Sequence, residues 1–98
     1  MREVVILGVG MTKFGVSNLS QKEMFAEAAL EALQESQVKA GDLQALFVGN
    51  VLGDFDEGQI NIAPFLAAEI SMKPGAPATR FESACASATV AIRHAVLM

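Results

Sequence analysis

The sequence lacks tryptophan and tyrosine, and it contains one cysteine and one histidine. A single cysteine cannot close an internal disulfide, and one cysteine with one histidine cannot build a zinc site. The seven Lys and Arg residues form no basic stripe and the formal net charge is −4, so nucleic-acid binding has little support. The longest apolar runs, VVILGVGM and ALFVG, are far too short to span a membrane.

The hydrophobic content indicates a folded protein. Hydrophobic residues make up 52% of the 98 positions and charged residues 18%, which is too apolar for a disordered chain. The N-terminal apolar run is interrupted by TKFG without a small-residue cleavage site, so it does not fit a signal peptide. We therefore predict a cytoplasmic protein whose 98 residues form at most one small domain.

Strand-like and helix-like segments alternate along the chain. Three short runs rich in apolar residues predict strands at residues 3–10, 43–50 and 78–83. Helical spacing predicts helices at residues 21–37, near 59–70, and from Cys85 onward. The first helix opens on a capping box, Ser20 to Glu23, and Pro64 requires the second helix to begin late or to be kinked. The β-α-β-α-β-α order predicts an α/β fold with a parallel three-stranded sheet and helices on both faces.

Two further patterns suggest ligand sites, and each has a simpler interpretation. The glycines of GVGMTKFG do not match the dinucleotide fingerprint G-x-G-x-x-G, and the next helix begins too late, so turn glycines are favoured. An acidic cluster has no nearby histidine or cysteine, which favours a solvated loop over a metal site. Its members are Asp54, Asp56 and Glu57.

Cys85 stands where the third predicted strand meets the third predicted helix. A thiol at a helix N-terminus ionises more readily, and the helix amides can hold the oxyanion that forms when a thiolate attacks an acyl group. The neighbouring small residues permit a sharp turn and close approach of a substrate. The alternative is a small buried hydrophobe, the common state of a lone cysteine.

His94 lies nine residues after Cys85, too far to reach the thiol, and is predicted to be a packing or surface residue. Ser83 and Ser87 are predicted to be structural. The helix itself is apolar on most sides, which predicts burial within a larger fold.

Four segments together resemble the thiolase family, in particular the branch related to the thiolase domain of sterol carrier protein X and including archaeal and bacterial acetyl-CoA acetyltransferases. VVILGVGMTKFG resembles the opening strand and loop of that branch, ALFVGNVLG its second strand, and GQINIAPFLA its second helix. ESACASA resembles the segment that carries the acylated cysteine, which aligns with Cys85. The family usually has glycine where Ala88 stands, and the added methyl group either narrows the acyl pocket, with an effect on rate and substrate size, or is tolerated.

The resemblance implies an acyl-CoA C-acyltransferase of lipid metabolism, acetyl-CoA acetyltransferase or 3-ketoacyl-CoA thiolase, that forms an acyl thioester on Cys85. Coenzyme A thioesters would be substrates, and no bound cofactor is expected. It also implies that residues 1–98 are an incomplete N-terminal thiolase domain ending in the nucleophile helix, inactive alone. The activating histidine and a second cysteine would lie in a second half, and the strand at 78–82 would pair across a homodimer axis. A non-catalytic lipid-transfer or scaffold protein and a ketoacyl synthase are the alternatives.

Overall fold

A two-stranded parallel sheet with helices packed against it forms the centre of the molecule. The computed structural model describes residues 3–52 and 58–98. Its elements are, in order, α1 (Gln21–Ser36), a 3₁₀ turn (Ala40–Asp42), β1 (Leu46–Gly49), α2 (Ile62–Glu69), β2 (Ala78–Phe81) and α3 (Ser87–Leu97). The two strands pair in register from Leu46 opposite Ala78 to Gly49 opposite Phe81. The α/β class and its parallel pairing are therefore confirmed.

Helix α1 begins at the predicted capping box. Ser20 Oγ accepts the Glu23 N–H at 3.2 Å, and Glu23 Oε1 accepts the Ser20 N–H at 3.1 Å. The backbone hydrogen bond from Ser20 lowers the pKa of Glu23, because it favours the charged carboxylate. The helix ends where Gln37 adopts a left-handed conformation (φ 60°), one residue before the predicted end.

Helix α2 contributes half of the buried apolar side chains of the described residues. It begins at Ile62, which places Pro64 in the first turn, where a missing N–H costs no helical hydrogen bond. The late start is thus confirmed, rather than a kink. Ile62, Ala63 and Leu66 are buried on this helix. The remaining buried apolar side chains lie just after α2 and on α3, and they are Ile70, Met72 and Ala91.

The two later helices cover opposite faces of the sheet. The rings of Phe47 and Phe81 meet edge to face at 5.6 Å, and the Phe81 ring lies 4.4 Å from the ring of His94 on α3. Adjacent side chains in a strand point to opposite faces, so Arg80 belongs to the other face. There its Nη1 donates to the Ile60 carbonyl at 2.9 Å, just before α2 begins. Helices on both faces are therefore confirmed.

The first of the three predicted strands, at residues 3–10, is not present: within residues 3–52 and 58–98 the sheet has two strands. A strand requires a ladder with a neighbour, and this segment packs on α1 instead. A Cβ atom at Gly8 would collide with the Ala32 carbonyl, and one at Gly10 with the Ala28 carbonyl. These glycines therefore serve close packing against the middle of a helix, and they do not surround a helix N-terminus as a dinucleotide fingerprint would.

Helix α3 is covered on one side only. Ala91 is buried, whereas Ile92 and Leu97 are 65% and 58% exposed. Within residues 3–52 and 58–98 the sheet covers a single face of α3, so the predicted burial of this helix within a larger fold stays a prediction. Within that same part, no helix is long and apolar enough to cross a membrane.

Candidate active site

Cys85 lies in a tight turn that connects β2 to α3. The strand ends at Phe81 and the first helical residue is Ser87, so the thiol precedes the helix by two residues. The helix was predicted to begin at Cys85 itself. The difference arises because Ala86 occupies the N-cap position with non-helical angles (φ −97°, ψ 10°) and offers no capping side chain. The thiol therefore lies just outside the positive end of the helix dipole.

The turn owes its sharpness to Ala84. This residue has a φ of 47°, a left-handed conformation that is uncommon for residues with a side chain and strained relative to glycine. Its N–H donates to Glu82 Oε2 at 2.7 Å. Two residues later, the Ala86 N–H donates to the Ser83 carbonyl at 2.9 Å. The chain thus reverses within four residues and presents Cys85 at the outside of the bend.

Ser87 ties this turn to the start of the helix. Its Oγ accepts the Ser83 N–H at 2.8 Å and donates to the Ala84 carbonyl at 2.7 Å. The side chain is buried, with 5% of its surface exposed, and both partners satisfy it. The predicted structural role of Ser87 is confirmed. Ser83 takes part through its backbone groups.

The first turn of α3 also rests on the end of β1, a contact that sequence reasoning did not identify. A Cβ atom at Gly49 would collide with the Ser87 carbonyl carbon and with the Ala88 nitrogen and Cα. Only glycine permits this approach of helix to strand. The sequence does place a glycine at the end of the predicted second strand, but that position suggested only a strand terminator.

The thiol of Cys85 is exposed to solvent. Among the described residues Cys85 is therefore not a buried hydrophobe, and its role as nucleophile stays a prediction. An exposed thiol at the outside of a strand-to-helix bend can be approached by a carbonyl carbon, which a thiol enclosed in a core cannot.

His94 is a packing residue, as predicted. Its ring lies against Phe81, and its Nδ1 lies 3.0 Å from the Val90 carbonyl, a hydrogen bond that requires the proton on Nδ1. Both contacts keep the ring along α3 and the sheet.

Arg80 joins β2 to the loop that follows β1, and sequence reasoning missed this role. Its Nε donates to the Asn50 carbonyl at 3.0 Å and its Nη2 to the Val51 carbonyl at 3.2 Å, in addition to its bond with Ile60.

The acidic cluster at Asp54, Asp56 and Glu57 lies outside the described residues. Within residues 3–52 and 58–98, no group of three or more His, Cys, Asp or Glu side chains could hold a metal ion.

Comparison with known proteins assigns this chain to a protein family. Residues 4–98 match the family model described as the N-terminal domain of thiolase. The chain belongs to the thiolase family. The resemblance seen in the sequence is thereby confirmed, and the α/β domain described above is thiolase N-terminal sequence over nearly its whole length.

Relatives of the thiolase family are similar over the same range. Acetyl-CoA acetyltransferase from Methanocaldococcus jannaschii is 38% identical over 98 residues, which cover 99% of this chain and 25% of the relative. Acetyl-CoA acetyltransferase from Methanothermobacter thermautotrophicus is 37% identical over 98 residues with the same shares. Sterol carrier protein 2 from Bos taurus is 37% identical over 59 residues, covering 57% of this chain and 11% of the relative. The chain thus spans about a quarter of the length of the two archaeal relatives.

Proposed function

We propose that the protein carrying these residues is an acyl-CoA C-acyltransferase of the acetyl-CoA acetyltransferase type and that Cys85 is its acylated nucleophile. The observation that carries the proposal is the exposed thiol of Cys85 at the strand-to-helix turn of a thiolase N-terminal domain. Two archaeal relatives that are named acetyl-CoA acetyltransferase support the substrate class.

The first half of the proposed reaction is transfer of the acyl group to the protein. The thiolate of Cys85 attacks the carbonyl carbon of an acyl-CoA, and a tetrahedral oxyanion forms. The bond between that carbon and the sulfur of coenzyme A then breaks. Coenzyme A leaves as a thiolate and is protonated, while the acyl group remains on Cys85 as a thioester.

The second half forms a carbon–carbon bond. Acetyl-CoA loses a proton from its methyl carbon, and the resulting carbanion attacks the acyl thioester. The Cys85 thiolate departs, and the product is a 3-oxoacyl-CoA. In the opposite direction, the same steps cleave a 3-oxoacyl-CoA. The groups that move these protons are proposed to lie in a second half of the protein, in keeping with the family resemblance.

In the proposed reaction, the described residues position the nucleophile. The turn presents the thiol at the outside of the bend, and the positive end of α3 lies next to it. Such a helix end favours negative charge on the attacking sulfur and on a nearby oxyanion. The small side chains at Ala84 and Ala86 leave space for the thioester carbonyl.

The test is acylation of Cys85 in the protein expressed with whatever coding sequence follows Met98. Incubation with acetyl-CoA is expected to add one acetyl group to the peptide that contains Cys85, detected by mass spectrometry. Cys85→Ala is expected to abolish both acylation and acyl transfer. Ser83→Ala, which keeps the backbone bonds of its position, is the matched control. Near-normal acyl transfer by Cys85→Ala would refute the proposal.

The 98 residues alone are expected to give no measurable turnover. Loss of a positioned base typically costs ~10²–10⁴-fold, and loss of one oxyanion donor ~10²–10³-fold. Turnover of acetyl-CoA by the purified 98-residue polypeptide would show that the necessary groups lie within it.

We also propose that the intact protein is a homodimer joined through the strand at residues 78–82. Within the described residues β2 has a strand on one edge only, so its other edge can accept a second copy. Hydrogen exchange of the amides at 78–82 should slow as protein concentration rises through the dimer range. Fast exchange at 78–82 in an active dimer would contradict this interface.

A further inference from the structure

Ser87 carries a buried polar side chain that the proposed chemistry does not use. Its hydroxyl has one proton, which it donates to the Ala84 carbonyl, and it accepts the Ser83 N–H. The backbone N–H of Ser87 donates to the same Ala84 carbonyl at 3.2 Å. Two donors of one residue therefore converge on a single carbonyl oxygen.

The carbonyl that Ser87 holds belongs to the peptide plane of Cys85. The Ala84 carbonyl and the Cys85 N–H lie in one planar unit, since rotation about the peptide bond is blocked. Anchoring the Ala84 oxygen therefore fixes the plane from which the Cys85 Cα projects. The direction of the Cys85 side chain follows from that plane and from its own χ1 rotamer.

The anchored residue is also the strained one. Ala84 has a φ of 47°, and a side chain makes this conformation less favourable than for glycine. Strain of this kind persists only where surrounding contacts impose it. Three hydrogen bonds act here: Glu82 accepts the Ala84 N–H, and the hydroxyl and the backbone N–H of Ser87 both donate to the Ala84 carbonyl. Of these two side chains, Glu82 is exposed and Ser87 is buried, so water competes with Glu82 more than with Ser87.

We infer that Ser87 is a positioning residue for Cys85: its hydroxyl imposes the left-handed conformation of Ala84 and thereby sets the direction from which the thiol meets the acyl carbon. The inference rests on the proposed function, because it assigns a purpose to the orientation of the same nucleophile. Ser87 itself touches neither the substrate nor the reacting atoms.

The experiment compares Ser87→Ala with the unaltered protein, each expressed with the coding sequence that follows Met98. Misplacement of a nucleophile lowers the rate of the chemical step more than substrate binding, so kcat is expected to fall about tenfold to a hundredfold with KM changed less than about threefold. Alkylation of Cys85 by iodoacetamide requires less exact alignment and is expected to slow by less than about threefold. Unchanged kcat in a folded Ser87→Ala variant would overturn the inference.

A second variant separates positioning from general stability. Ala84→Gly removes the side-chain strain at the turn, so in the Ala84→Gly background the same Ser87→Ala change is expected to cost several-fold less kcat. An equal loss of kcat in both backgrounds would mean that Ser87 acts through stability or packing and would overturn the inference. If Ser87→Ala does not fold, Ser87→Cys fills the site with a weaker donor and acceptor, and full kcat in that variant would have the same consequence.

The outcome for Cys85 keeps this inference distinct from the proposed function. If Cys85→Ala retains acyl transfer, the proposed function fails and Ser87 has no nucleophile to position. If Cys85→Ala abolishes transfer while Ser87→Ala leaves kcat unchanged, the proposed function stands and only the role of Ser87 is refuted.

Discussion

The turn at residues 82–87 and the segment at residues 3–10 are both rich in small or apolar residues, yet they differ in how their structure is held. The turn is fixed by hydrogen bonds whose partners lie two to four residues apart. The N-terminal segment pairs with no strand in the described part of the chain. The difference shows that a turn draws its hydrogen bonds from local partners, whereas a strand depends on a ladder supplied by distant sequence.

The two regions also differ in how far their side chains are buried. Ser87 is buried within the turn, whereas Val4, Val5, Ile6 and Leu7 are 53% to 84% exposed. Apolar surface stabilises a fold only to the extent that it leaves water, at about 25 cal/mol per Å². The N-terminal segment therefore gains little from its own side chains, and what fixes it is the close approach of its glycines to α1.

The largest expected effect comes from filling the space between β1 and the helix of the turn. Gly49→Ala would place a methyl group against backbone atoms of Ser87 and Ala88, which cannot move without shifting α3. Overpacking of this kind typically costs 1–3 kcal/mol, and we expect a loss of about 3 kcal/mol in the free energy of unfolding. Urea denaturation of the protein measures it, and the proposed acyl transfer should fall as the turn moves.

Gly41 provides the matched control for that change. A Cβ atom there meets nothing within 4 Å, and Gly41 is not among the positive-φ glycines. Gly41→Ala is therefore expected to change stability by less than about 0.5 kcal/mol. Equal losses from the two substitutions would show that the contact between Gly49 and α3 does not hold the turn in place.

The same substitution in the N-terminal segment should have a smaller effect. Gly10→Ala would collide with the Ala28 carbonyl on α1, but the segment has no ladder to resist displacement. We expect it to move off α1 at a cost of about 1 kcal/mol. Hydrogen exchange should quicken at the α1 amides it covers while residues 82–87 stay unchanged. Equal changes in both regions would mean that they unfold together.

The parts of the fold that sequence reasoning predicted are those specified by near neighbours. The capping box of α1, the late start of α2 at Pro64 and the packing role of His94 all follow from patterns within a few residues. The β-branched residues at 3–10 predicted a strand that the structure does not contain. Such residues favour a strand, but pairing depends on the segment that lies beside them. The fit of Gly49 against α3 joins residues almost forty positions apart, and no local pattern reports such a contact.

The capping box is the simplest local device of the molecule, and breaking it should cost about 1 kcal/mol. Ser20→Ala removes the acceptor for the Glu23 N–H, a typical loss for an N-cap. Because the folded state lowers the pKa of Glu23, its contribution is present above the ordinary glutamate pKa and is lost as pH falls through the lowered value.

The free energy of unfolding, measured by circular dichroism near neutral pH and near pH 3, tests whether the contribution of Glu23 is lost as pH falls. Glu23→Gln keeps an acceptor for the Ser20 N–H but cannot ionise, so it should remove this part of the pH dependence. A pH dependence identical in Glu23→Gln and in the unaltered protein would contradict the assignment to Glu23.

The smallest expected effect on stability, and the most direct test of the N-terminal segment, is a charge at Ile6. This side chain is 84% exposed, so Ile6→Lys should change the free energy of unfolding by less than about 0.5 kcal/mol. An apolar segment without a ladder can pair with another chain, and we expect the 98-residue polypeptide to self-associate at micromolar concentration. Ile6→Lys should reduce that association, measured by light scattering, because a charge would have to be buried between the chains. Phe14→Lys is the control, since Phe14 is 86% exposed but lies outside residues 3–10. A monodisperse monomer before any substitution would refute association through this segment, and equal dispersal by both substitutions would assign it to general surface hydrophobicity.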